Sequence, residues 1–279
     1  MQCRIKMHIT SNLEQMILEN ENFKLALNSA LHKTDVSGST FVNADCFDVF
    51  PFIDDKSIDA IICDLPYGTT SCKWDMVIPF DKLWKEYKRV IKPNGVIILT
   101  ASEPFASYLR TSNIEMYKYD WVWEKERPSN PILANKQVLK YHEMICVFYK
   151  KQCNFFPQMR KREEKNKRNN KPRKFVSGVN NKVPNSVGMN ETGMNDFIKP
   201  KSVLKINMER GLHPTQKPVA LMEYLIKTYT KEGDLILDNC MGSGTTNLAC
   251  IKLNRKSIGI EKEKQYYDIA VRRASEYCH

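Results

Sequence analysis

Short continuous apolar runs alternate with amphipathic stretches along most of the chain. FVNA from Phe41, SIDAIIC from Ser57 to Cys63 and GVIILTA from Gly95 to Ala101 are runs of the kind expected of parallel strands covered on both faces. Between the last two, Phe80 to Val90 carries a helical stripe that the turn signal Pro93-Asn94-Gly95 terminates, which predicts a βαβ unit. WVWEK from Trp121 and EMICVFYKK from Glu143 predict two later strands. The rhythm then breaks and returns near the end. A helix is expected from about Pro218 to Thr230, a strand in DLILD from Asp234, a helix from about Ser243, a strand in SIGIE from Ser257, and a closing helix to about Glu276. No internal repeat interrupts this order.

Two segments depart from the pattern. Residues 1–40 hold a loose helical spacing (Leu13, Met16, Ile17, Phe23, Leu27, Leu31) up to the Ser37-Gly38-Ser39 turn signal, and read as a peripheral helical arm. Residues 151–210 are rich in Lys, Arg and Asn, with few apolar positions to hold a core, and read as an insertion. The α/β domain is therefore expected over 41–150 and 211–279.

Charge singles out the insertion. The formal charge is +11, and from Lys150 to Lys174 eleven Lys or Arg stand against two Glu, so this stretch supplies +9 and the rest only +2. A polyanionic partner is implied, either nucleic acid or an anionic membrane surface. No stretch approaches the eighteen apolar residues of a span, and Glu14, Glu19 and Glu21 interrupt the N-terminal region, so neither a signal peptide nor a membrane helix is expected. Nine cysteines with no C-x-x-C spacing indicate neither a disulfide framework nor a zinc ribbon, which fits a reducing cytoplasm.

Two motifs sit where open α/β sheets bind ligands, beyond the carboxyl ends of strands. In DLILDNCMGSGTT an acidic residue, Asp238, ends a strand, and Gly242 and Gly244 let a ligand approach bare backbone. Glu261 closes the next strand, where a carboxylate can accept both hydroxyls of a ribose. These features describe a nucleoside site or simply a tight strand-to-helix turn. The third glycine of the dinucleotide fingerprint is absent, its place taken by Asn247, and no Walker lysine follows.

The second motif is DLPYGTTSCKWD, from Asp64 to Asp75. An exocyclic base amine is a poor nucleophile because its lone pair is delocalised into the ring. A site that accepts hydrogen bonds from both N–H groups localises that pair. The Asp64 carboxylate and the Leu65 carbonyl can do this, and Tyr67, after Pro66, offers a stacking face for a base taken out of a duplex. The bland alternative is a strand end, a proline turn and a buried tyrosine.

Together, Asp64-Leu65-Pro66-Tyr67, HPTQKP from His213 to Pro218 and DNCMGSGTT from Asp238 to Thr246 resemble the amino-methyltransferases of DNA, in the permuted β group where the catalytic motif precedes the cofactor motif. The resemblance covers about 40–150 and 211–276. It implies a Rossmann-like class I methyltransferase fold: a mainly parallel seven-stranded sheet with helices on both faces, circularly permuted, plus a basic target-recognition insertion. S-adenosylmethionine is the implied cofactor and double-stranded DNA the implied partner. Similar enzymes are often dimers, and a restriction endonuclease can belong to the same system. Asp238, Gly242 and Gly244 would shape the cofactor pocket with Cys46, Cys240 and Thr245 beside them. Glu261 would hold the ribose, Asp45 would meet the cofactor's adenine amine, and His213, Thr215 and Lys217 would close over its methionine end. The alternatives are a helix N-cap for Asp45 and a solvated charge for Lys217. A proline usually stands where this chain has Leu65, which keeps the backbone acceptor but loses rigidity. Asp64 resembles the acidic form typical of adenine N6 enzymes, whereas cytosine N4 enzymes of the group more often begin the motif with serine.

The family places target recognition between the last core strand and HPTQKP. There Arg160, Lys161, Arg162, Lys165, Lys167, Arg168, Lys171, Arg173 and Lys174 would neutralise phosphates, unless the run is only a solvated loop. Trp74, beside the catalytic loop, is a further DNA-contacting expectation. Trp121 and Trp123 alternate on one strand as core residues would, and Asn130 and Asn135 are equally explained by turn formation. His142 and Glu143 form no metal motif, and the chemistry implies no metal. The rival functions are methylation of cytosine N4, of RNA or of protein glutamine, a nicotinamide-dependent oxidoreductase, and a non-catalytic DNA-binding module.

Overall fold

In the computed structural model, which describes residues 32–69, 75–161, 197–209, 211 and 216–278, the turn signal Ser37-Gly38 closes a hairpin between β1 (His32–Val36) and β2 (Ser39–Asn43). Both turn residues have positive φ, 47° and 81°, as a two-residue hairpin loop requires. Residues 32–40 are thus strand and turn where a helical arm is expected, and the rest of that arm lies outside the described residues. The chain continues through α1 (Cys46–Val49), β3 (Ile58–Asp64), α2 (Phe80–Val90), β4 (Ile91–Ala101), α3 (Phe105–Ser112), β5 (Tyr117–Glu124) and β6 (His142–Phe148). Two short strands, β7 (Arg160–Lys161) and β8 (Phe197–Ile198), pair antiparallel within a separate compact unit, 157–201. Then follow β9 (Val203–Lys205), α4 (Val219–Tyr229), β10 (Leu235–Asp238), α5 (Thr245–Lys252), β11 (Lys256–Glu261) and α6 (Lys264–Cys278).

One nine-stranded sheet runs β1-β2-β11-β10-β3-β4-β6-β5-β9. The seven strands legible as apolar runs form its interior, parallel from β2 through β4, with β6 antiparallel to both β4 and β5. The two additions are edge strands, β1 and β9. β9 falls inside the stretch read as insertion, because its parallel pairing with β5 supplies order that its own three residues cannot. The compact unit is accordingly narrower, 157–201, than the compositional break at 151–210.

The continuous apolar runs arise because alternate residues serve opposite faces. Ile61 and Cys63 of β3, with Ile97 and Leu99 of β4, pack on the side of α2 and α3. Ala60, Ile62, Val96 and Ile98 pack on the side of α4 and α5. Helix α2 shows the logic locally: Leu83, Trp84, Tyr87 and Val90 recur at helical spacing and are buried, each contributing roughly 1.5–3 kcal/mol. Asp81 in its first turn and Lys88 and Arg89 in its last complement the helix dipole. Among the described residues no helix is long and apolar enough to cross a membrane.

This topology places β10, from the chain's last fifth, between β11 and β3. The register Ile236↔Ala60 and Leu237↔Ile61 sets the ends of β10 and β3 side by side, so the glycine turn after Asp238 and the motif at Asp64 share one edge of the sheet.

Candidate active site

A cavity of about 1430 Å³ opens along that edge, lined among others by Asp64, Tyr67, Lys217, Asp238, Gly242 and Glu261. Single small-molecule sites commonly occupy about 300–1,000 Å³, so this one has room for a nucleoside cofactor and a base together.

On the cofactor side, Gly242 and Gly244 both take positive φ, 51° and 72°. A Cβ on Gly244 would lie 2.7 Å from Ala270 Cβ, so the turn requires glycine there on two counts. Glu261 accepts backbone N–H bonds from Gly242 (2.9 Å) and Glu263 (2.8 Å), which fixes the carboxylate at the cavity wall. Asp238 is buried and accepts from Cys240 N at 3.2 Å. Burial pushes its carboxyl up to about 6, against donors from Thr246, Cys240 and Cys63 that act in the other direction. Burial raises Glu261 as well. Asp45 is the N-cap of α1, accepting from Phe47 N at 3.0 Å, and it also lines the cavity. The capping and the cofactor readings of Asp45 are therefore compatible. Cys46 and Cys240 line the same wall, and burial pushes the Cys46 thiol up to about 12, so it offers packing and no charge. The Thr245 hydroxyl, also at this wall, meets Arg273 at 3.3 Å.

At the motif end, Asp64 Oδ1 accepts from Tyr67 Oη at 2.7 Å and from the Thr100 hydroxyl, while Oδ2 accepts from Lys217 Nζ at 2.6 Å. Lys217 is buried, its side chain 6% exposed, which overturns the solvated-charge alternative. Its ammonium lies 3.3 Å from Glu143 Oε2, and Glu143 Oε1 meets Lys125 Nζ at 2.8 Å. Lys125 continues to Ser129 Oγ at 2.7 Å. Burial alone would lower the Lys217 ammonium pKa, but the carboxylates of Asp64 and Glu143 carry it above its ordinary value. Burial alone would raise Glu143, and the two lysines hold it below its ordinary value. Burial, then Asp64 and Glu143, keep the Tyr67 phenol neutral and so a donor. An ionised carboxylate has about four lone-pair positions, so one is left for a substrate N–H.

Tyr67 stacks on Phe105 with ring centroids 5.0 Å apart at 28°, and Lys217 Nζ lies 5.5 Å from its centroid. Leu65 is buried, and Pro66 lines the cavity beside it. Trp121 and Trp123 are core residues, with indole N–H groups bonded to Tyr229 Oη and Ile206 O. Asn130 closes a turn, donating to Val138 O and accepting from Lys140 N, and Asn135 is exposed. Arg160 and Lys161 lie on β7 of the separate unit. His213, Thr215, Trp74, Arg162, Lys165, Lys167, Arg168, Lys171, Arg173 and Lys174 lie outside the described residues. Among the described residues no cluster of His, Cys, Asp and Glu could hold a metal ion.

The sequence reading missed Glu143, Lys125, Thr100 and Phe105. The available signal was a charge at the end of each of two apolar strands, Lys125 after WVW and Glu143 before MICVF. Only the antiparallel pairing of β5 with β6 makes those charges partners.

A family model described as DNA methylase matches residues 58–272. A type II methyltransferase of Haemophilus parainfluenzae, M.HpaI, is 32% identical over 234 residues, 79% of this chain and 69% of that relative. The crystal structure of an M1.HpyAVI complex with S-adenosylmethionine is 30% identical, with a TM-score of 0.57 over 84% of this chain and 99% of that one. The cytosine-N4-specific PvuII DNA methyltransferase shares the fold, with a TM-score of 0.62 at 17% identity, over 85% of this chain and 86% of that one.

Proposed function

Because the chain belongs to the DNA methylase family, we propose that it transfers a methyl group from S-adenosylmethionine to adenine N6 within a specific sequence of double-stranded DNA. The observation that carries this reading is the shared cavity. The Asp64 carboxylate and the glycine turn after Asp238 face the same space, at the adjacent ends of two parallel strands.

The residues present fit the cofactor. Gly242 and Gly244 leave backbone bare at the turn, Glu261 is a fixed carboxylate suited to a ribose, and Asp238 and Asp45 add acceptors at the same wall. When bound, S-adenosylmethionine supplies an electrophilic methyl on a sulfonium. The chain's own work is done at the base. Asp64 and the Leu65 carbonyl accept the two amine hydrogens, which localises the nitrogen lone pair, and Asp64 is placed to take the proton released. Lys217, backed by Glu143, holds Asp64 in position. Tyr67 and Thr100 fix its second oxygen.

Adenine is favoured over cytosine because the motif begins with aspartate. The relative's type II designation supports a place in a restriction–modification system; a companion endonuclease, a homodimer and a cytoplasmic location complete the proposal. Asp64→Ala tests the proposal. Labelled methyl transfer to DNA should fall to near zero while calorimetry still detects cofactor binding. An Asp64→Ala protein of full activity, or wild-type labelling of RNA or protein alone, overturns it. Single-molecule sequencing of DNA from expressing cells reports the modified base and its context.

A further inference from the structure

The loop joining β5 to β6 is built as a hairpin whose foot belongs to the cavity and whose tip is apolar and exposed. At the foot, Ser129, Asn130, Pro131 and Lys140 line the same space as Asp64. The hairpin is internally closed: Lys125 N bonds Tyr141 O at 2.7 Å, Ser129 N bonds Lys140 O at 2.9 Å, and Lys140 N bonds Asn130 Oδ1 at 2.7 Å. Lys140 Nζ anchors it to Ser102 Oγ (2.6 Å), just beyond β4. The tip is itself ordered by a 3-10 turn over Pro131–Leu133, with Leu133 N bonded to Asn130 O at 3.0 Å and Lys136 N to Leu133 O at 2.8 Å.

On this fixed frame Ile132 is 95% and Val138 90% exposed, with Leu133 and Leu139 partly exposed beside them. Loop tips facing only water are ordinarily polar, and an apolar cluster held out by a satisfied backbone has an energetic reason to be covered. Its setting indicates the cover. Arg127 and Lys136 are exposed on the same loop, which suits a polyanion. Asp64, only 22% exposed at the cavity floor, is out of reach of a base still stacked in a duplex. Extruding that base costs a few kcal/mol per step and leaves an apolar gap in the stack. Ile and Val are both stiff at χ1, which suits a side chain that must enter such a gap without first being ordered.

We propose that the tip of this hairpin, chiefly Ile132 with Val138, inserts into the DNA duplex at the target base pair and fills the space vacated by the extruded base. The inference rests on the reading of the chain as a DNA methyltransferase, and deepens it by assigning the surface that opens the duplex. Arg127 and Lys136 then meet the flanking phosphates.

The test uses the full chain and an oligonucleotide duplex carrying its recognition site, identified beforehand by sequencing of modified DNA. A second duplex carries the same site with the target base opposite an abasic position. For the double variant Ile132→Ser, Val138→Ser, kcat/KM on the paired duplex should fall about ten-fold or more, while on the abasic duplex it should stay within about two-fold of wild type. Cofactor affinity should be unchanged, which controls for folding. Equal losses on both duplexes, or none on either, overturn the wedge. Equal losses accompanied by a fall in solution mass would assign the tip to contact between copies, and also overturn it. Sequencing that finds no methylated base in DNA exposed to the wild-type chain, so that no site can be put in a duplex, refutes the underlying reading. An active wild type with an unaffected variant refutes the wedge alone.

Discussion

Removing the ammonium of Lys217 should destabilise the folded chain far more when Asp64 is present than when it is absent. Asp64, Lys217, Glu143 and Lys125 form a chain of alternating charges, its two lysines buried and its two carboxylates partly so, with contacts of 2.6, 3.3 and 2.8 Å, and their formal charges sum to zero. Lys217→Met leaves a net negative charge there, and breaking a buried pair of this kind costs about 3–4 kcal/mol. Asp64→Asn leaves the opposite imbalance, but the Asp64 side chain is 22% exposed and its Tyr67 partner can still bond the amide, so about 1–2 kcal/mol is expected. The double variant Lys217→Met, Asp64→Asn is neutral again, because Glu143 keeps Lys125. Its total cost should be about 2–3 kcal/mol, leaving a coupling energy of about 2 kcal/mol. Urea unfolding of the four proteins, with midpoints read at a common slope, measures this directly. Costs that add to within about 0.5 kcal/mol would show that the two residues are not paired in solution and would refute the positioning role given to Lys217.

Asp238, its carboxyl raised to about 6 by burial, binds its proton more tightly in the folded chain than in the unfolded one. It therefore costs stability above that pH, roughly 3 kcal/mol once both states are ionised, and the cost fades as pH falls from about 6 toward 4. Asp238→Asn should accordingly raise Tm by several degrees more at pH 8 than at pH 5 while weakening cofactor binding, and a pH-independent difference counts against the buried carboxylate. Replacing Arg162, Lys165, Lys167, Arg168 and Lys171 with Ala should flatten the slope of log affinity for DNA against log salt by up to about 4–5, and an unchanged slope removes the basic stretch from the interface. A Cβ on Gly259 would lie 2.5 Å from the Asn247 side chain and from Met241 Sδ, so Gly259→Ala should cost about 1–3 kcal/mol in urea unfolding. Adding Asn247→Ala should recover part of that loss, and no recovery would place the strain elsewhere.

The interior of the sheet was legible in the sequence because strands covered on both faces are apolar on both, as in Ala60 to Cys63 and Val96 to Leu99. The edges were not. HKTDV in β1 and VLK in β9 carry little apolar signal, and neighbouring strands alone give them their conformation. Both halves of the site were visible as motifs, since each is a local run of residues at a strand end. The Lys217–Glu143–Lys125 chain was invisible for the opposite reason: its contacts join residues far apart in sequence, and a single charge does not name its partner. Asn247 is an instructive case. Its presence in place of a third glycine counts against dinucleotide binding in a linear reading, yet here close approach of helix α5 to the sheet is supplied from the other side by Gly259.

The placement of β10 and β11 bears on how the chain can be made. Strand β3 meets its β10 neighbour only after some 170 intervening residues, Ala60 against Ile236, and β2 waits for Ser257 to reach Ser39. A ribosome therefore exposes the unpaired edge of Ile58 to Asp64 for most of translation, a template for wrong pairing until β10 arrives. Messages cut short before Asp234 lack both the glycine turn and Glu261, so the fragments they yield are missing the side of the site proposed for the cofactor.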